Sequence, residues 1–274
     1  MSPANAQFMT PEAETFLDTA VPNMARVFDY LLGGIANFEA DREAADELLQ
    51  HIPSLRKWTR LRRAFIQEAA GDLYRDGFNQ FLDLGSGMPS ENHLHIAVPE
   101  ARVIYSDINP VAVSYGQSLF AEHINIDYIY GNVRHISDLF NAPDVRRLID
   151  RHEPVAIGLN ALILFLTEAQ NGRLAQTLHT WAAPDSQIFV VLQTRADQIE
   201  SQHYKKLVTL SAAAGLPIQL YTLEQNIAML KPWQPTHIQP LTQFLGLPDD
   251  FITEADQAGM GIAFYAAFFR KEAA

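Results

Sequence analysis

The chain has 274 residues, enough for one large domain with a proper core, or for one domain with an appendage. Its 48% hydrophobic and 19% charged residues are ordinary for a globular protein, and a net charge of −12 argues against a nucleic-acid partner. The absence of cysteine excludes disulfides, thiolate metal sites and a cysteine nucleophile.

Met1 to Thr10 lacks the basic start and apolar core of a signal peptide, and no apolar run reaches membrane-spanning length. A soluble, cytoplasmic chain is the expectation. Residues 11–75 read as helices. Asn23 is placed to cap a helix from Met24 to Leu32, which Gly33-Gly34 ends. Val27, Tyr30 and Leu31 give that helix an apolar stripe. A second helix is predicted from about Glu39 to Gln50, acidic early as the helix dipole favours. Pro53-Ser54 then opens a long helix to about Tyr74. Its basic run, Arg56-Lys57-Trp58-Thr59-Arg60-Leu61-Arg62-Arg63, is expected on a solvated face rather than at a phosphate site.

Beyond residue 75 strands and helices alternate, the pattern of a parallel sheet. Strands are predicted near 79–84, 102–106, 126–131, 154–159 and 187–193, with helices near 91–97, 109–121, 144–151 and 168–181. Past Thr194 a helix is expected to about Ala214, ended by Gly215-Leu216-Pro217. A short helix near 223–230 and a strand near 235–239 come next. The last strand, from Ile262 to Phe269, is expected at the edge of the sheet as one of an antiparallel pair. The division is a helical cap over 1–75 and a ligand-binding α/β domain over 76–274.

The chemistry concentrates at Phe81-Leu82-Asp83-Leu84-Gly85-Ser86-Gly87-Met88-Pro89, an apolar strand ending in an acid and a glycine-rich turn. The next strand ends in Asp107, and 107 − 83 = 24. A parallel sheet holds a nucleoside-bearing ligand at such a place. Gly85, Ser86 and Gly87 let backbone approach it. The third glycine of a dinucleotide fingerprint is missing, and Pro89 offers no N–H to a pyrophosphate, so a phosphate-free cofactor, S-adenosylmethionine, fits better than a nicotinamide dinucleotide. Asp107 would take the ribose diol and Ile108 the adenine face; the other reading of Asp107 is a cap for the helix beginning at Asn109-Pro110. Asp83, an acid in an apolar strand, suits an ammonium group or the loop amides. Asn132 and the Val133 N–H would meet adenine, unless Asn132 is an ordinary turn residue. Asn160 closes the fourth strand and would face the methyl group. The residues after it, Ala161-Leu162-Ile163-Leu164-Phe165, are not an Asn-Pro-Pro-Tyr element, which disfavours nucleic-acid base methylation. Of His93 and His95, the second is the candidate base, with surface or capping roles as the alternative; no metal is expected.

Two further segments carry a resemblance. Ala25-Arg26-Val27-Phe28-Asp29-Tyr30-Leu31-Leu32-Gly33-Gly34, and then Asn37-Phe38-Glu39-Ala40-Asp41-Arg42, are similar to the opening of the actinobacterial S-adenosyl methyltransferase family once called domain of unknown function 574. The likeness continues through Phe81–Pro89 and Val103–Pro110 to Phe165-Leu166. It implies the Rossmann-like class I methyltransferase fold, a seven-stranded, mostly parallel sheet with an antiparallel C-terminal strand. It implies S-adenosylmethionine as cofactor and S-adenosylhomocysteine as product. Arg26, Tyr30, Gly33, Asn37 and Phe38 would then form a lid over the cofactor or a substrate wall, although Tyr30 and Phe38 also suit plain core packing. Leu164 stands where the family commonly has histidine, near the expected methyl acceptor, and Asn132 where it commonly has aspartate. The resulting expectation is methyl transfer to an oxygen or nitrogen of a small molecule, with His95 or Tyr30 as base for a hydroxyl acceptor. A non-catalytic binding protein for the same cofactor is the alternative, and a nicotinamide-dependent oxidoreductase the third reading. No nucleic-acid or membrane partner is expected, and a homodimer is compatible with the sequence.

Overall fold

The computed structural model describes residues 18–90, 92–195, 205, 208, 209, 212, 217–257 and 262–272. Three helices come first: α1 (Met24–Leu32), α2 (Glu39–His51) and α3 (Leu55–Arg75). The Asn23 side chain accepts the Ala25 N–H to start α1, and Gly33 ends it in the left-handed conformation at φ +87°. One buried carboxylate organises this corner. Asp41 accepts from the Asn23 and Phe38 backbone N–H groups and pairs with Arg26 Nε at 2.7 Å.

The sheet is built from β1 (Gln80–Leu84), β2 (Arg102–Asp107), β3 (Ile126–Tyr130), β4 (Ala156–Gly158), β5 (Gln187–Arg195), β6 (Gln234–Pro240) and β7 (Ile262–Arg270). Its order is β3-β2-β1-β4-β5-β7-β6. The first five strands are parallel, and β7 runs antiparallel to both β5 and β6. The final strand is therefore not the edge. It is inserted between β5 and β6, and β6 takes the border, largely exposed, with Pro235, Pro240 and a register shift that blunt it against further pairing. The order reverses between β1 and β4, the switch point where such sheets open a crevice.

Strand β1 is buried along its whole length, and its side chains alternate between two cores. Phe81 joins Phe65 of α3, Val103 and Tyr105 on one face; Leu82 and Leu84 join Ile104, Ile157 and Ile188 on the other. Helix α3 belongs to the first core: Trp58 stacks on Phe264 of β7 with ring centroids 4.1 Å apart, and Phe65 packs against Phe244 and Phe268. Helices α1 and α2 share a smaller cluster of Met24, Val27, Leu31, Ala45 and Leu48.

The crossovers are α4 (Pro110–Leu119), which Asn109 caps with proline in the first turn, α5 (Ile136–Phe140), α6 (Pro143–Leu148) and α7 (Glu168–Trp181), which starts on a Thr167/Gln170 capping box. A further helix, α8 (Leu223–Met229), precedes β6. The helix expected near 91–97 is only a 3₁₀ turn, Leu94–Ala97, with Glu91 outside the described residues. Pro99 disfavours a helical Val98, which cuts the turn short. The helix expected past Thr194 to about Ala214 lies largely outside the described residues. Among the described residues no helix is long and apolar enough to cross a membrane.

Candidate active site

At the carboxyl ends of β1, β2, β3 and β4 lies a cleft of about 940 Å³, roofed by α1 and walled by α3. The glycine turn forms its floor. Gly85 and Gly87 hold φ +68° and +75°, and a side chain added at Gly87 would meet no atom within 4 Å, so that backbone faces open space. The Ser86 N–H bonds to the Ser106 carbonyl and the Ser86 hydroxyl to the Asp83 carbonyl, which locks the tips of β1 and β2 together.

Asp107 spans the turn. Its Oδ2 accepts the Gly87 N–H and its Oδ1 the Asn109 N–H, each at 2.8 Å. Burial raises its pKa, and these N–H donors oppose the rise. Helix capping is the work of Asn109, whose side chain accepts the Val111 N–H, so Asp107 keeps acceptor sites on the cleft. Ile108, Asn132 and Val133 line the same end. Asn132 accepts the Arg134 N–H through Oδ1, the turn arrangement foreseen as its alternative reading, and still lies on the wall.

Asp83 is 2% exposed, and burial pushes its pKa up to about 7 against the opposing effects of Ser86 and Arg63. Beside it, Asn160 accepts the Val191 N–H through Oδ1. The Asn160 Nδ2 lies next to the Asp83 carboxylate without closing a hydrogen bond of normal geometry. The next residue, Ala161, sits at φ +56°, a strained conformation that turns the strand tip into the cleft.

The structure prefers His93 to His95. His93 is 3% exposed and lines the cleft. Its Nδ1 accepts the Leu94 N–H, so the neutral ring carries its proton on Nε2, 3.7 Å from Asp83 Oδ2. Burial lowers its pKa well below the usual histidine value, so His93 and Asp83 do not form an ion pair. His95 is turned away. Its Nδ1 is 2.9 Å from the Tyr105 hydroxyl and its ring packs on Phe120.

The cap residues divide in the same way. Gly33 lines the cleft together with Phe28, Asp29 and Ile35. Arg26 does not: it is 1% exposed and held by Asp41 and the Val21 carbonyl. Tyr30 points to Asp46 with Arg56 over its ring, which removes it as a base at the cleft. Phe38 lies over the Arg26 guanidinium. Asn37 bonds to Asp29 and the Gly34 carbonyl, and so supports the loop without lining the cleft. Leu164 also lies outside the cleft wall, which Leu162, Phe165 and Leu166 occupy instead.

The basic run on α3 is not simply a solvated face. Arg60, Arg62 and Arg63 line the cleft. Arg62 lies 4.7 Å from the centre of the Phe28 ring, and Arg63 Nη1 is buried without a hydrogen-bond partner. A signal for this was present. Arg62 stands four residues after Trp58 and four before Ile66, on the face that carries the buried apolar side chains.

The sequence matches the family model described as S-adenosyl methyltransferase over residues 10–233. A candidate methyltransferase from Thermobifida fusca is 30% identical, over 94% of this chain and 97% of that chain, with a TM-score of 0.81. A DUF574 family protein from Streptomyces avermitilis is 25% identical, over 93% of this chain and 99% of that chain, with a TM-score of 0.79. A geranyl diphosphate C-methyltransferase from Streptomyces coelicolor, solved with Mg2+, geranyl diphosphate and S-adenosyl-L-homocysteine, shares the fold: it is 11% identical, over 96% of this chain and 99% of that chain, at a TM-score of 0.53. No match was found among the curated proteins.

Proposed function

The chain belongs to the S-adenosyl methyltransferase family, and we propose that it methylates an oxygen or nitrogen atom of a small molecule held in this cleft beside the cofactor. The enzyme is an S-adenosylmethionine-dependent methyltransferase. The observation that carries the finer reading is the cleft itself. Its volume of about 940 Å³ lies at the upper end of the roughly 300–1,000 Å³ typical of small-molecule sites, which suits a nucleoside cofactor together with a compact acceptor.

The residues present fit the cofactor. The Asp107 carboxylate would accept from the ribose hydroxyls. Ile108 and Val133 would flank adenine, with the Asn132 amide at its edge. Gly85, Ser86 and Gly87 would let the chain approach closely. The acidic Asp83, beside Asn160, would face the ammonium group, and the unpartnered Nη1 of Arg63 the carboxylate. When bound, the cofactor supplies a methyl group already activated on a sulfonium. The protein's part is to bind, align and exclude water. Positioning of this kind supplies up to roughly 7–11 kcal/mol in well-oriented reactions. Asp83 and Asp107 hold the cofactor, and His93 is neutral with Nδ1 engaged. The acceptor is therefore expected to present its own lone pair rather than to rely on a strong base in the wall. Residues 24–75 act as the cap that brings α1 and α3 over both ligands.

Two measurements test this. Calorimetric titration should show S-adenosylmethionine and S-adenosylhomocysteine binding, with NAD silent. Asp107→Ala should weaken both by about 10- to 100-fold, the worth of hydrogen bonds to a charged group. With methyl-labelled cofactor and a cell extract, label should appear in the small-molecule fraction. Label confined to protein or nucleic acid would sink the small-molecule reading.

A further inference from the structure

Helix α3 brings Arg60, Arg62 and Arg63 to the cleft; Arg60 is exposed, and the two inner guanidinium groups have different surroundings. Arg63 lies within electrostatic reach of Asp83 and Asp29. Arg62 has no such acid among the described residues; its charged neighbour is Arg63, which repels it. Burial and Arg63 lower the Arg62 pKa to about 10, which still leaves it charged at neutral pH. The acid on the roof, Asp29, already accepts at Oδ2 from the Ala36 N–H and the Asn37 amide. A half-buried cation beside a like charge gains from an anion that joins it. The cofactor brings one carboxylate for two guanidinium groups.

The mouth of the cleft shows a second peculiarity. Ile35 is 98% exposed, Ile96 51% and Tyr115 56%, and all three line this cleft. Scattered apolar side chains on a surface need no explanation, but three converging on one opening mark a place for an apolar ligand.

We propose that the methyl acceptor is an anionic amphiphile, anchored by a carboxylate or phosphate on Arg62 and laid with its apolar body against Ile35, Ile96 and Tyr115. The planar guanidinium suits both oxyanions by paired hydrogen bonds. Its position over Phe28 holds it in the wall between cap and sheet. The proposal rests on the reading of the cleft as the joint site of cofactor and acceptor.

The test uses the full chain saturated with S-adenosylhomocysteine and titrated with octanoate, octyl phosphate and octanamide. At least one anion should bind about tenfold or more tightly than the neutral amide, and the stronger anion tells carboxylate from phosphate. Arg62→Met should erase that preference while binding S-adenosylhomocysteine within about twofold of the wild type, which also reports that the variant is folded. Equal binding of amide and anions to the wild type, or no binding of any of the three, overturns the proposal without any variant. So does a preference that survives in Arg62→Met. If a variant that melts like the wild type loses S-adenosylhomocysteine tenfold or more, Arg62 holds the cofactor and the proposal is wrong. Failure of the wild type to bind S-adenosylhomocysteine would instead remove the cofactor-site reading on which the proposal stands.

Discussion

Asp83 is the group whose protonation a bound ammonium would change most. In the folded, ligand-free protein burial raises its pKa from 3.8 to about 7. Between those values the native state holds a proton that the unfolded chain has released. The native state binds more protons, so this group makes stability fall as pH rises through that window. An ammonium beside Asp83 favours the ionised form and expels the proton. Binding of S-adenosylhomocysteine should therefore release up to about one proton near pH 6 and close to none above about pH 8. The measurement is the binding enthalpy in buffers of different ionisation heat at the two values. Asp83→Asn should bind more weakly and lose the buffer dependence near pH 6. No net proton release by the wild type would place the ammonium elsewhere. At this scale the acids and glycines of the cleft were legible in the sequence, because strand, acid and glycine turn succeed one another along the chain. The two histidines were not. His93 and His95 flank the start of a 3₁₀ turn, and only the fold shows that His93 turns inward while Tyr105 takes His95.

Between elements, Asp41 ties the starts of α1 and α2 together. It receives the Asn23 N–H at the start of α1, the Phe38 N–H at the start of α2 and the Arg26 guanidinium. Asp41→Ala would leave Arg26 buried and short of its carboxylate, a change that costs about 3–5 kcal/mol. Denaturant titration should show a loss of that size. Binding of S-adenosylhomocysteine should weaken too, because α1 brings Phe28, Asp29 and Gly33 to the cleft. A loss below about 1 kcal/mol would mean that the corner is held mainly by its apolar cluster. The elements themselves were legible wherever the pattern is local: caps, glycine stops and buried runs gave α1 to α3 and all seven strands to within a few residues. The place of β7 was not. Insertion of the last strand between β5 and β6 is a long-range pairing, and the alternation along Ile262–Phe269 is the same for an edge strand as for an inner one. The inward arginines of α3 were signalled only by the place of Arg62 between Trp58 and Ile66. A helix covered by a cap on one side and a sheet on another buries a wider arc than a single apolar stripe suggests.

For the molecule as a whole, the helical cap and the sheet share one core. Helix α3 contributes Trp58 and Phe65 to a cluster that includes residues of β1, β2, β5 and β7. It also bears the arginines that line the cleft. A boundary placed at residue 75 would cut through this core. Heating the full chain should therefore give one cooperative transition, with calorimetric and van't Hoff enthalpies in agreement. Because the proposed cofactor site takes its floor from strand tips and its roof from α1, ligand should stabilise everything at once. At a hundredfold excess over its dissociation constant, S-adenosylhomocysteine would add about 2.7 kcal/mol, or about 5–10 °C in a chain of this size. Two resolved transitions, with ligand moving only one, would show that α1 and α2 open independently of the sheet. The small cluster of Met24, Val27, Leu31, Ala45 and Leu48 would then be the unit that melts first. A single transition that moves as a whole would mean that α1 and α2 do not melt apart from the sheet, and that the cap and the strand tips are stabilised by ligand as one unit.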